Sequence, residues 1–396
     1  MCGIVAALPD YDSETERVAD RQLLDVLPEP PTVDPGAGRH EPRELAAGLE
    51  WLTKELAAAV ELYSVPAAGH CLAAEAPVRD AVASRVELLG AWLAASEKTL
   101  DDTAAAWDAD LLERTQRLAV RARDLLWTIE HDRVAAAGRV ATLARGGLST
   151  LTGARAYLAI DTVLDAVDRL EVRGRDSAGL QVWVTLDDAD TARLPAGLRT
   201  REDAEYRHGA VAFFPGGLSL VYKRASIIGR LGDNVAFLRA AITADDDLHA
   251  VLALPSARAT VVAHTRWASV GRISEANAHP VDSFSGTAAT TAKGYATASL
   301  NGDIDNHVEL REQVGLPASS TGISTDAQLI PVMLAEQIDA GLALAPAMAA
   351  CVRRYHGSFA IAAQSDRAPG QLVLAVRGSG QGMYVGFASG CFLVAS

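Results

Sequence analysis

Apolar positions divide the chain into regions of different period. Residues 3–8 read Gly3 followed by Ile4-Val5-Ala6-Ala7-Leu8, a short continuous run that predicts a buried strand. From about residue 10 to 39, Pro, Asp, Glu and Gly dominate, and Pro28-Glu29-Pro30-Pro31 excludes regular helix and central strand. That stretch predicts a linker with one helical turn near residues 17–27. Leu45, Leu49, Leu52, Leu56 and Val60 then follow at spacings of three and four, one face of a helix over 41–63. Val78, Val82, Val86, Leu89 and Leu93 repeat the pattern over 78–100. Leu111, Leu118, Leu125, Ile129 and Val134 extend it over 103–144, with Gly138 as the expected kink. Three such helices with Pro or Asp at the joins predict an antiparallel bundle. They share a period but no recurring motif, so no solenoid is expected. Trp51, Trp92, Trp107 and Trp127 are expected to fill the core or to pack the bundle.

Beyond Arg145-Gly146-Gly147 the period shortens. Tyr157, Ile160, Leu164, Val167 and Leu170 predict a helix over 154–170, and helices are also expected over 235–242, 305–313 and 327–340. Strands are predicted over 180–184, 260–263, 359–363, 372–376 and 392–394, and a hairpin joins 211–214 to 218–222 through Pro215-Gly216-Gly217. Residues 187–207 are acidic and irregular, a surface excursion. Residues 299–303 read as a strand end with a tight turn at Asn301-Gly302. Strands mixed with helices and glycine turns predict packed layers of both. The expected division is residues 1–12 as the first strand, 13–153 as linker and inserted bundle, and 154–396 as the rest of the strand-bearing domain. A first strand cut off from its sheet by about 140 residues implies that the sheet needs that terminus.

Composition narrows the function. A length of 396 residues allows two or three domains, and 49% hydrophobic with 22% charged residues is globular. A net charge of −14 argues against non-specific nucleic-acid partners and anionic membrane surfaces. It leaves room for a local pocket of opposite sign. Cys2, Cys71, Cys351 and Cys391 have neither CxxC nor metal-type spacing, so no metal or cofactor is expected, and the last three are read as buried reduced thiols. No basic region precedes an apolar core at the N-terminus, and no window approaches a membrane span, so a cytoplasmic location is expected.

The chemistry centres on Met1-Cys2-Gly3. A small residue after Met1 permits removal of the initiator methionine. Cys2 would then carry a thiol and a free α-amine on one carbon, with ordinary pKa values near ~8.5 and ~7.7–8.0, so the amine can act as the thiol's own base. Hydrolysis of an amide side chain on a free amino acid also needs oxyanion donors, a cation for the α-carboxylate and an anion for the α-ammonium. Asn301 and Gly302, Arg266 at a strand end, and Asp326 at a helix start are candidates for these three roles. Each has a plainer reading: a surface ion pair for Arg266, a hairpin turn for Asn301-Gly302, and a helix cap for Ser324-Thr325-Asp326.

Met1-Cys2-Gly3-Ile4-Val5, Arg173-Gly174-Arg175-Asp176-Ser177-Ala178-Gly179, His264-Thr265-Arg266-Trp267-Ala268-Ser269, Asn277-Ala278-His279-Pro280, Asn301-Gly302 and Thr325-Asp326 occur in an order that resembles the class II glutamine amidotransferases. The chain looks most like the glutaminase half of glutamine–fructose-6-phosphate aminotransferase, over residues 1–8 and about 154–396. The resemblance implies an α+β fold, the four-layer αββα sandwich of the N-terminal-nucleophile hydrolases, with the helical bundle inserted. It implies L-glutamine as substrate, Cys2 as nucleophile, Arg266 on the glutamine carboxylate and Asp326 on its ammonium. It also implies Asn301 and Gly302 as the oxyanion hole, Trp267 as the gate on the ammonia path, and Ser269 in place of a substrate-contacting Thr. Three positions depart from the family: Val270 replaces a His, Arg175 a Tyr and Leu300 a His. Sugar-phosphate-isomerase domains, which would bind fructose 6-phosphate as the ammonia acceptor, are expected in further sequence or a separate subunit. Phosphoribosyl diphosphate, aspartate or 2-oxoglutarate are alternative acceptors. A non-catalytic binding module is a third reading, and self-association through the bundle is a further use of its apolar faces.

Overall fold

The computed structural model describes residues 2–12, 18, 20–33, 35, 42–226, 230–284, 294–316, 322–388 and 390–396. It divides into two compact units: Met1–Tyr11 with Arg155–Ser396, and Asp12–Ala154.

The first unit is built on two antiparallel sheets. Its strands are β1 (Gly3–Pro9), β2 (Ser177–Thr185), β3 (Val211–Phe214), β4 (Gly217–Ala225), β5 (Arg258–Arg266), β6 (Val281–Asp282), β7 (Ala296–Gly302), β8 (Phe359–Ser365), β9 (Val373–Arg377), β10 (Tyr384–Ala388) and β11 (Cys391–Ala395). One sheet runs β10-β11-β1-β5-β2-β4-β3, the other β6-β7-β8-β9. β1 is interior, pairing antiparallel with β11 on one side and β5 on the other, with Gly3 opposite Thr265. Paired on both edges and buried along its first residues, β1 carries Ile4, Val5, Ala6 and Ala7 as an unbroken apolar run.

The second unit holds α1 (Asp20–Val26), α2 (Pro42–Tyr63), α3 (Pro66–Ala74), α4 (Ala76–Thr103), α5 (Ala109–Trp127) and α6 (Ala136–Leu143). Leu45, Leu49, Leu52 and Leu56 of α2 and Val78, Val82, Val86, Leu89 and Leu93 of α4 are buried, the predicted stripes. The third helix differs from expectation. It breaks at a π-helical segment, Thr128–Ala135, and not at Gly138, which lies inside α6. Its buried face over α5 is Thr115, Ala119 and Ala122, small residues that let a neighbouring helix approach, followed by Leu125 and Leu126. Of the four tryptophans expected in the core or the bundle packing only Trp92 is buried, its indole N–H donating to the Val33 carbonyl, whereas Trp51 and Trp127 are exposed. No single helix among the described residues is long and apolar enough to cross a membrane; α2 and α3 pass that test only together, across an 86° bend.

Back in the sheet unit, α7 (Leu151–Leu170), α8 (Asp188–Thr191), α9 (Asp233–Ala244), α10 (Asp246–Leu252), α11 (His307–Gln313), α12 (Leu329–Asp339) and α13 (Leu344–Arg354) complete the chain. α9 packs on β2 and β4, α12 on β7 and β8, and α13 on β9, while β1 and β5 face β7. The order is helix, sheet, sheet, helix: the αββα layering that the resemblance implies. Polar side chains cross between the sheets, with Gln181 of β2 accepting from the Thr297 hydroxyl of β7 at 3.1 Å. Glycine is required where backbone meets backbone, since a Cβ on Gly179 would lie 2.1 Å from the His279 carbonyl oxygen.

Candidate active site

Cys2 is placed by β1. Because Gly3 pairs with Thr265, the preceding residue comes level with Arg266 and Trp267 at the end of β5. The Trp267 N–H donates to Cys2 Sγ at 3.3 Å, and the thiol is buried. Burial pushes the Cys2 thiol up from its ordinary range, opposed by the Trp267 N–H and by the Arg266 guanidinium, while Asp303 adds to the rise.

Arg266 is 3% exposed. Its Nη1 donates to the Arg272 carbonyl at 3.0 Å and its Nη2 to the Val270 carbonyl. The Val270 contact is through backbone, so the imidazole missing at that position does not affect it. Burial pulls the guanidinium down, and Cys2, Asp326 and Asp176 oppose the shift. Asp326 is also buried, and it is held by N–H groups: Ile304 donates to Oδ2 at 2.9 Å and Ala327 to Oδ1 at 3.0 Å. Desolvation raises its carboxyl above the ordinary range. Arg266 and Asp326 thus carry opposite charges in the same desolvated region, where an electrostatic contact is stronger than in water.

Asn301 and Gly302 are the last two residues of β7, not a hairpin turn. The strand continues into backbone of positive φ, +104° at Gly302, and Gly302 still pairs with Phe359 of β8. Asn301 is buried, with Nδ2 donating to Ser396 Oγ at 3.2 Å, and that same hydroxyl oxygen accepts from the Ile4 N–H at 3.0 Å. β7 and β1 are thereby tied through one side chain, that of Ser396, which meets β1 at Ile4, two residues along from Cys2. Ser269 donates its hydroxyl to Asp303, and Trp267 is 57% exposed, so its indole lies at the surface rather than in the core.

Several structural contributors were not singled out by sequence. Asn277 accepts from the Ser324 and Thr325 N–H groups at 2.7 and 3.0 Å and donates to the Arg272 carbonyl at 3.1 Å, joining the Arg266 loop to the Asp326 segment. Asp176 accepts from the Ala268 N–H at 2.9 Å. His264 and His279 are fully buried with ring centroids 4.4 Å apart; desolvation pushes His264 down to about 3 and His279 well below the usual histidine range. The signal available for these residues was their place in the runs that carry the resemblance. Of the departures, Arg175 is exposed and its carbonyl accepts from Asn234 Nδ2, whereas Leu300 lies in the core of the β6–β9 sheet. All four cysteines are free thiols, with Cys391 half-buried rather than buried. Among the described residues no group of three or more His, Cys, Asp or Glu is placed to hold a metal.

No family model matches the chain. Curated relatives do. The chain is 34% identical over 152 residues to glutamine–fructose-6-phosphate aminotransferase [isomerizing] of Methanothermobacter thermautotrophicus, covering 38% of this chain and 24% of the relative. It is 31% identical over 239 residues to the same enzyme of Symbiobacterium thermophilum, covering 60% of this chain and 29% of the relative. The chain therefore spans about a quarter to three tenths of the length of the relatives it matches. Among solved structures, the glutamine phosphoribosylpyrophosphate amidotransferase of B. subtilis overlays at a TM-score of 0.36 and 13% identity, over 60% of this chain and 39% of that one. By its sequence, the chain is a relative of the glutamine–fructose-6-phosphate aminotransferases and, with them, resembles the class II glutamine amidotransferases.

Proposed function

We propose that the sheet unit hydrolyses the side-chain amide of glutamine. The observation that carries this is the convergence on Cys2 of an N–H donor, Trp267, and of Arg266, whose guanidinium is coupled electrostatically to both Cys2 and Asp326. Cys2, Arg266 and Asp326 come from separate segments of the chain and are each buried at a desolvation cost, and a zwitterionic amino acid supplies the complementary charges. Its α-carboxylate would face Arg266 and its α-ammonium Asp326, leaving the amide carbon at Sγ.

With Met1 removed, the Cys2 α-amine takes the thiol proton as Sγ forms a bond to the amide carbon. Charge on the carbonyl oxygen would be met by the second N–H of Asn301 Nδ2 and the Gly302 N–H. The C–N bond then breaks, the nitrogen leaves as ammonia with the proton returned by the amine, and a γ-glutamyl thioester remains. Water attacks that thioester, releasing glutamate and restoring the thiol. Trp267 closes the mouth over the departing ammonia, and Ser269 takes a substrate-contacting place when released from Asp303. The names of the relatives point to fructose 6-phosphate as the acceptor, in amino-sugar synthesis, with acceptor-binding domains supplied by further sequence or a second subunit.

The test is incubation with the glutamine analogue 6-diazo-5-oxo-norleucine followed by intact mass and peptide mapping. One adduct on a terminus that begins at Cys2, absent from Cys2→Ala together with glutamate release, is the expected outcome. Retained glutaminase activity in Cys2→Ala would overturn the mechanism.

A further inference from the structure

β6 stops early. Its two residues pair with Ala298 and Thr297 of β7, so Leu300 lies beyond the last strand pairing on that edge. Leu300 is 1% exposed, and a buried backbone N–H or C=O without a partner is costly, so these groups must bond elsewhere. Two imidazoles supply the partners. His264 on β5 approaches the Leu300 carbonyl with Nε2 at 2.8 Å, and the Leu300 N–H donates to His279 Nδ1 at 3.3 Å. A carbonyl only accepts and an N–H only donates, so the tautomers follow: each ring is neutral with its proton on Nε2. The Nε2–H of His279 then meets Thr325 Oγ1 at 3.3 Å, and the Thr325 hydroxyl donates to Asp326 Oδ1 at 3.3 Å.

We infer that His279 is a positioning residue for the proposed amide hydrolysis, aligning its two ends through one ring. Nδ1 holds the β7 backbone immediately before Asn301 and Gly302, where the oxyanion forms. Nε2, through Thr325, orients the Asp326 carboxylate that receives the ammonium. The inference rests on the glutaminase reading. It also gives Leu300 a physical place: with both backbone groups taken by rings from neighbouring segments, its own side chain is free to be apolar and pack into the core.

Because the two roles use different nitrogens, they are separable. Asparagine puts an amide oxygen near the position of Nδ1, and glutamine puts an amide nitrogen near that of Nε2. His279→Asn keeps an acceptor for Leu300 and loses the donor to Thr325; His279→Gln does the reverse. Steady-state glutaminase kinetics on the full chain should show His279→Asn raising KM about tenfold with kcat within about twofold. His279→Gln should lower kcat about tenfold with KM within about twofold, since small misplacements at a reacting centre cost one to two orders of magnitude. Thr325→Val, which leaves the buried ring in place, should follow His279→Asn. Loss of kcat and KM in equal proportion in both histidine variants, or an unchanged KM in Thr325→Val, overturns the inference. If the histidine variants do not fold, the Thr325→Val result decides alone. A wild-type chain that takes no diazo-oxo-norleucine adduct at Cys2 removes the glutaminase reading itself and this inference with it; a labelled wild type with unsplit variants removes only the inference.

Discussion

Replacing Asn277 by Ala tests how the Arg266 and Asp326 segments are held together. Asn277 is fully buried, and its Oδ1 is the acceptor for two backbone N–H groups, those of Ser324 and Thr325. Its Nδ2 donates to the Arg272 carbonyl at 3.1 Å and to Ser324 Oγ at 3.2 Å. Alanine removes the partners and leaves their groups behind. At about 1–3 kcal/mol per stranded buried group, two N–H groups cost about 2–6 kcal/mol. Ser324 is half-buried and can be rehydrated, while Thr325 is buried, so about 3 kcal/mol is the working figure. That is a large part of the ordinary ~5–15 kcal/mol of a folded domain. At about 2–4 °C per kcal/mol for a unit of this size, the melting transition should fall by about 6–12 °C. The functional effect goes through Arg272, whose carbonyl also accepts from Arg266 Nη1. Freed of Asn277, that loop no longer fixes the guanidinium, and KM for glutamine should rise more than kcat falls. Scanning calorimetry of the sheet-unit transition, with glutaminase kinetics at a temperature where both proteins are folded, reads both effects. A transition within about 1 °C of wild type, together with an unchanged KM, would refute the assigned role.

Three further outcomes follow from the same geometry. His264 is held down to about 3 against an ordinary value near ~6.5, so the unfolded chain binds its proton first. Its stabilising contribution is present above pH ~6.5 and is lost as pH falls toward ~3, by up to about 1.4 kcal/mol per unit. Asp326 and Glu171, whose carboxyls burial raises, titrate with the opposite sign, so the quantity to read is the difference in urea midpoint between wild type and His264→Gln. That difference should shrink between pH 7 and 5; a constant difference contradicts the burial account. Gly302→Ala places a Cβ 2.1 Å from the Ser358 carbonyl oxygen at φ +104°, and the left-handed penalty alone is about 1–2 kcal/mol, so loss of labelling at Cys2 and a lower urea midpoint are expected. Wild-type behaviour of this variant would show that β7 and β8 yield there. Excision of Asp12–Ala154 with a short Gly-Ser bridge should leave the sheet unit folded and labelled at Cys2, because Tyr11 and Arg155 belong to the same unit and Arg155 donates to the Asp10 carbonyl at 2.7 Å. An insoluble or unlabelled product would count against that independence.

What the linear pattern determined is local. The apolar run Ile4–Leu8, the strand ending at Arg266 and the leucine stripe of α2 were legible because each depends only on which positions must face a core, and that period is written in neighbouring residues. Trp51 and Trp127 misled because hydrophobicity says that a side chain can be buried, not that space is available. Asn301-Gly302 misled because the dipeptide suits a hairpin, and only the pairing with β8 makes it the end of a strand. Tertiary structure alone decided that Cys2 meets Trp267, that Asn277 stitches two loops, and that a pair of histidines completes the edge of β7. Those contacts join positions tens to hundreds of residues apart, and their stability comes from desolvating all the partners at once. No single segment contains that energy, so no single segment could reveal it.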